Sequence, residues 1–308
     1  MGRSARVPFT IKAKRDDVHA RVAEAESFFI DSLEDWRSKM GLHQMTLIGH
    51  SLGAYFSVAY ALKYPDRVHR LILLSPAGVP QGPNYEEPSR EVTDTQPATP
   101  SPPKRERSSI HVATKGRIQT MREEQKENRK RESRSRRLFT YLWEEGWSPF
   151  QVVRSTLFWG PMLIGKYSSR RFSNLTPEET RDMHDYIMNI TLAKGSGEYC
   201  ISHILAPGAH ARLPLVDRIH ALPKDMPVTF VYGDHDWMDP VGGMESVKRL
   251  KAVGNNNGRM YIIERAGHHG QYIFSAHSEG SLADFVYAVY LDNKEAVNDL
   301  LISELEER

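Results

Sequence analysis

Met45-Thr46-Leu47-Ile48-Gly49-His50-Ser51-Leu52-Gly53-Ala54-Tyr55 is the stretch that decides the fold. Met45–Ile48 is a short apolar run, fit for a buried parallel strand. Leu52 to Tyr64 reads as a helix, stopped by Pro65. Between them lies G-x-S-x-G. In a strand–turn–helix context this pattern puts a serine on a tight, strained turn with its oxygen above the sheet. The flanking glycines leave room for close backbone packing. The helix that follows offers N–H groups and a positive dipole end to a developing oxyanion. Ser51 is the candidate nucleophile and the Leu52 N–H the candidate oxyanion donor. The plainer alternative is an ordinary strand–helix turn.

Further apolar runs at Val68–Leu74, Val228–Tyr232 and Met260–Ile263 predict three more strands. Val22, Ala25, Phe29, Leu33, Trp36 and Met40 follow helical spacing and predict an amphipathic helix from Val18 to Met40, ended by Gly41. Strands separated by helices imply parallel crossovers and an α/β layer fold. Leu138 to Ala221 is rich in aromatics, among them Trp143, Trp147, Phe150, Phe158 and Trp159, and reads as short helices and loops.

A serine nucleophile of this kind needs an acid and then a base later in the chain. After the Val228 strand comes Gly233-Asp234-His235-Asp236-Trp237-Met238-Asp239. Gly-x-x-Asp selects Asp236, with Asp234 as second choice. Asp239 precedes Pro240 at an expected helix start. After the Met260 strand comes Ala266-Gly267-His268-His269. His268 is the first-choice base and His269 the second. In such a triad the serine attacks an acyl carbonyl, the histidine moves its proton, and the aspartate holds the imidazole tautomer.

The chain has 308 residues with 41 Lys/Arg and 39 Asp/Glu, a net charge of +2. That balance excludes a globally basic nucleic-acid binder. The single cysteine, Cys200, excludes an intrachain disulfide and a multi-cysteine zinc site, and points to a reducing compartment. No apolar run of about 18 residues is present to span a membrane as a helix. Met1 to Lys14 carries no apolar signal-peptide core. The balance hides a split, since Lys104 to Arg137 holds 13 Lys/Arg and 5 Asp/Glu. Pro80 to Pro103 contains seven of the 18 prolines. The expectation is a disordered insertion, 83–137, whose residues 122–137 favour a charged helix. It serves either as a solvated linker or as a basic arm that touches anionic headgroups.

Taken together, Gly2-Arg3-Ser4, the Trp36 helix, Gly49-His50-Ser51-Leu52-Gly53, Ala59–Pro65, Ser75-Pro76-Ala77-Gly78, Ser148-Pro149-Phe150, Gly233–Met238 and Ala266–His269 resemble one branch of the α/β-hydrolases. It is the branch of the fungal cardiolipin-specific deacylase and the lysophosphatidic-acid acyltransferase-like co-activator of lipid-droplet lipase. The resemblance covers Met1 to Val79 and Leu138 to His269. It implies a serine acyl hydrolase or acyltransferase of glycerophospholipids, of cardiolipin or lysophosphatidic-acid type. No cofactor is implied, and acyl-CoA is a candidate co-substrate. The expected partners are a phospholipid or lysophospholipid and a membrane surface met through lid and basic arm, with no nucleic acid. The expected location is a mitochondrion, a lipid droplet or the cytoplasm. The rival readings are a catalytically impaired lipid-surface scaffold and a small-molecule carboxylesterase.

Two departures accompany the resemblance. Such hydrolases have four strands before the serine turn, whereas one helix precedes Met45 here. The expectation is a partial α/β-hydrolase fold: strands five to eight, a helical lid, and the Met45 strand as an exposed apolar edge. The chain is expected to be a fragment or a truncated gene model of poor stability. The family also carries His-x-x-x-x-Asp at the base. Position 273 is Ile, but omitting Gly270 to Ala288 brings Asp292 to that spacing. The segment is either retained untranslated sequence or a surface insertion. The expected organisation is 1–82 hydrolase core, 83–137 insertion, 138–221 lid and 222–308 the remaining core with acid and base.

Overall fold

The computed structural model describes residues 5–80, 110–112, 116, 134–156, 158–172, 176–267 and 293–306. Helix α1, Val18–Lys39, starts where the Asp17 carboxylate accepts the Ala20 N–H at 2.9 Å. It ends at Gly41, whose φ of +67° suits a residue without Cβ. Val22, Ala25 and Ile30 are its buried stripe. Trp36 and Met40, expected on that stripe, are exposed instead. In the same turns Arg37 is buried and pairs with Glu34 at 2.8 Å, and Glu34 also accepts the Tyr60 hydroxyl.

Strand β1, Met45–His50, leads through Ser51 into α2, Leu52–Lys63. Strand β2 is Val68–Leu74. Ile110–Val112 forms β3. The cap follows, as α3 (Arg134–Glu144), α4 (Pro149–Ser155), α5 (Trp159–Arg171) and α6 (Pro177–Leu192). The chain then returns to the sheet with β4, Val228–His235, helix α7, Val241–Ala252, strand β5, Gly258–Gly267, and helix α8, Lys294–Glu306. The sheet order is β1-β2-β4-β5-β3. The first four strands are parallel, and β3 is antiparallel to β5.

Period-two alternation sorts the strand side chains. Leu71, Leu73, Phe230, Tyr232 and Ile262 face α1, α2 and α7, where they meet Ala54, Tyr55, Val58 and Leu250. Ile72, Leu74, Val231 and Ile263 face α8, where they meet Ala296, Val297 and Leu300. Two polar knots pin the layers. Glu26 of α1 accepts the Tyr55 hydroxyl at 2.6 Å and both Arg218 amino groups at 2.5 and 3.1 Å. Glu304 of α8, 3% exposed, accepts the Thr229 hydroxyl at 2.7 Å and lies 3.7 and 3.3 Å from Arg70 and Arg259.

Two structured segments fall within the expected 83–137 insertion. Ile110–Val112 pairs with Tyr261–Ile263 as an edge strand, because β5 offers an open row of backbone groups there. The first cap helix begins at Arg134, four residues earlier than the Leu138 boundary. Residues 83–109, and most of 113–133, lie outside the described residues. So do Gly2-Arg3-Ser4 and the segment 270–288. As expected, β1 is an edge strand, paired among the described strands with β2 alone.

Candidate active site

Ser51 sits at the carboxyl end of β1, with φ +54° and ψ −118°. A non-glycine residue at that φ is held there by its surroundings. Its N–H donates to Leu74 O at 2.9 Å, and its carbonyl accepts from Ala54 and Ala77 N–H, both at 3.1 Å. The turn after β2 therefore grips the serine backbone from both sides. That turn is itself strained, with Ser75 at φ +44° and its N–H on Val231 O at 2.7 Å. Two hydrogen bonds, through the Leu74–Ser75 peptide, thus link the Ser51 backbone to Val231 in the middle of β4. The Ser51 side chain makes no capping bond to its own helix, although serine is a favoured cap.

The two glycines of the motif differ. A Cβ on Gly49 would lie 2.7 Å from the Ala54 backbone, so only glycine fits. A Cβ on Gly53 would meet nothing within 4 Å. The expectation that both glycines serve close packing holds for the first and is corrected for the second, which faces solvent on α2.

Hydrogen bonding sorts the three carboxylates at and just beyond the end of β4. Asp239 accepts the Val241 N–H at 2.9 Å, at the start of α7. Asp234 accepts the Ala266 N–H at 3.0 Å and ties β4 to β5. Asp236 is 3% exposed and accepts the Met238 N–H at 2.9 Å, a bond within its own turn. Asp236 thus belongs to the loop at the carboxyl edge of the sheet, the edge that also carries Ser51. Gly233 makes that loop feasible, since a Cβ there would lie 2.1 Å from Ala266 O. The β4–β5 register shifts at this point, with Arg265 opposite at φ +54°.

His235 pairs with Gly267, the last described residue of β5. His268, His269 and Asp292 themselves lie outside the described residues. Leu52 is the first residue of α2, where its N–H belongs to the helix's amino-terminal end.

Tyr232 was not singled out from the sequence. It is fully buried on β4, packed against Gly243 of α7, and its hydroxyl has no hydrogen-bond partner among the described residues. Burial first, then the charges of Asp236 and Asp239, push its pKa well above the ordinary value. It stays neutral beneath the carboxylate loop. A strand tyrosine reads from sequence as core, which is why pattern alone passes over it.

A family pattern described as "alpha/beta hydrolase fold" matches residues 19–274. The chain belongs to the alpha/beta hydrolase fold family. It is 33% identical over 256 residues to a probable 1-acylglycerol-3-phosphate O-acyltransferase of Oryza sativa, covering 81% of this chain and 50% of that protein. It is 29% identical over 248 residues to a human (lyso)-N-acylphosphatidylethanolamine lipase, covering 80% and 59%. A 1-acylglycerol-3-phosphate O-acyltransferase of Saccharomyces cerevisiae is 26% identical over 281 residues, covering 88% and 62%. The chain thus spans about half to three fifths of the length of these relatives.

Proposed function

We propose that this chain carries serine acyl chemistry on glycerophospholipids, either hydrolysis of an acyl ester or acyl transfer to a lysophospholipid. The observation that carries the reading is the backbone of Ser51, held at φ +54° on the turn between β1 and α2 with its side chain not used as a helix cap. The names of the relatives, acyltransferases of 1-acylglycerol-3-phosphate and a lipase of N-acylated phosphatidylethanolamine, support the substrate class. Cardiolipin fits the same class.

In the proposed sequence the Ser51 hydroxyl oxygen attacks the acyl carbonyl carbon while His268 takes its proton. The carbonyl oxygen gains the negative charge and accepts the Leu52 N–H. The tetrahedral species collapses, the ester bond breaks, and His268 returns the proton to the leaving alcohol, or to coenzyme A when acyl-CoA is the donor. The acyl-serine then gives up its acyl group to water or to a lysophospholipid hydroxyl, again through His268. Asp236 holds the imidazole tautomer. Asp234 and His269 are the second choices for acid and base, and Asp292 is the proposed partner carboxylate near the base. Contact with a membrane through the helical cap and the basic segment completes the reading.

The test is covalent labelling with a fluorophosphonate, read by mass spectrometry, beside hydrolysis of a lysophospholipid. Labelling at Ser51, and loss of both signals in Ser51→Ala, is expected. A chain that takes no label at Ser51 contradicts the reading and leaves the scaffold alternative.

A further inference from the structure

Helix α5 has one covered and one bare face. Gly160, Ile164 and Ser168, four residues apart, are buried. The Ser168 hydroxyl lies 2.5 Å from His184 Nδ1 on α6, which fixes that face inward. A Cβ at Gly160 would sit 2.9 Å from Val153 O, so α5 starts pressed against α4. The opposite face points away from the protein. Phe158, at the N-cap, is 93% exposed, Trp159 is 65% exposed and Met162 is 55% exposed. Leu163 is exposed beside them, and Lys166 follows at helical spacing, also exposed. From 158 to 171 the sequence holds Lys166, Arg170 and Arg171 and no acidic residue.

We infer that this face of α5 inserts into an anionic phospholipid surface, its apolar amino-terminal end entering the acyl boundary and Lys166 staying at the headgroup phosphates. The inference takes its occupant from the lipid reading above, and three further observations select it. An aromatic and aliphatic face followed by cations is the pattern of a helix that lies in a membrane interface. Tryptophan is favoured at that depth, and a lysine stem can lie along apolar surface while its ammonium stays wet. Thirteen residues rise about 20 Å, against about 30 Å of hydrocarbon, so α5 can lie in the surface but not cross it. A protein partner fits less well. Stable protein interfaces bury about 800 Å² on each side, and four side chains on one narrow ridge offer less than that.

The experiment is co-sedimentation of the whole chain with phosphatidylcholine vesicles, with and without phosphatidate, at low and high salt. The double variant Phe158→Glu/Met162→Glu should partition at least about tenfold more weakly under all conditions, since it removes the buried apolar area. Lys166→Glu should lose binding only on phosphatidate vesicles and only at low salt. Brominated acyl chains should quench tryptophan emission in the wild type and less in Trp159→Phe. Every substituted residue is exposed, and Phe158→Ser serves as a milder variant should the double one melt early. Absent wild-type binding, or equal binding by the double variant, overturns the inference. So does a wild-type dimer in lipid-free buffer that the double variant dissolves, because the face then meets a second copy. Hydrolysis of a soluble short-chain ester is measured on the same samples and should persist in every α5 variant. Its absence throughout would sink the acyl chemistry while leaving the vesicle result standing.

Discussion

At the residue scale, the serine turn shows how strain and space divide a motif. Gly49 has backbone 2.7 Å from where a Cβ would go, and Gly53 has open space. Gly49→Ala must push α2 off β1 and should lower stability by about 2 kcal/mol or more. Gly53→Ala, on an exposed helical position, should raise it by up to about 1 kcal/mol. Urea melts of the two variants check the pair, and similar losses from both would refute the spatial argument. The carboxylates make a second contrast. Asp236→Asn should cost activity on the order of 10⁴ if it orients the base, with little change in stability. Asp234→Asn keeps an oxygen for the Ala266 N–H and should cost far less. A larger activity loss from Asp234→Asn would exchange their roles. His203 supplies a pH dependence. Burial, then Arg21 and Arg212, lower its pKa to about 4, and its Nδ1 accepts from the Arg21 guanidinium. A histidine whose folded pKa is depressed binds fewer protons than its unfolded form between about 4 and 6.5. Its contribution is therefore complete above pH 6.5 and is lost as pH falls toward 4. The half-buried ring is partly screened, so the loss should be about 1–2 kcal/mol. Stability curves of the wild type and His203→Asn at pH 7 and pH 5 should converge as the pH falls. A constant gap between them would rule His203 out as the acid-sensitive group.

At the element scale, legibility followed run length and sequence distance. The strands β1, β2, β4 and β5 were plain because apolar runs bounded by turn residues have few other readings. Ser51 was singled out because its motif lies within five residues, and Asp236 because chain order narrows the choice. Strand β3 was not. Ile110-His111-Val112 is too short to stand out, and pairing with β5 decides it. Trp36 and Met40 keep helical spacing, yet both are exposed while Arg37 of the same turn is buried. The Glu304 cluster was equally hidden, since Thr229, Arg70 and Arg259 join it from 45 to 234 residues away in sequence. That cluster ties α8 to three strands. Removing the Glu304 carboxylate takes from buried Arg70 the counter-charge that lies 3.7 Å away. Glu304→Ala should cost about 3 kcal/mol, the lower end for a broken buried pair, because Arg259 reaches solvent. Glu304→Gln still accepts from Thr229 and should lose about half as much. Thermal melts order the two, and a neutral Glu304→Ala would show that α8 is held by its apolar face alone.

At the scale of the whole molecule, the sheet is asymmetric. At the β5 side, β3 covers the edge and α8 shields the adjoining face. On the other side β1 pairs, among the described strands, only with β2, and Ile48 there is 45% exposed. An edge strand with an apolar side chain in the open is a template for pairing between chains. The alternation along β1 makes the consequence testable with two neighbouring residues. Ile48 points to the open face, while Leu47 packs into the core shared with α2. Ile48→Lys should leave the melting transition within about 0.5 kcal/mol of wild type. It should also slow the growth of light scattering at elevated concentration, because a lysine on an edge opposes strand addition. Leu47→Lys should unfold the chain, because it forces an ammonium into apolar packing. If Ile48→Lys melts early or aggregates as fast as wild type, the β1 edge is not the surface through which this chain associates.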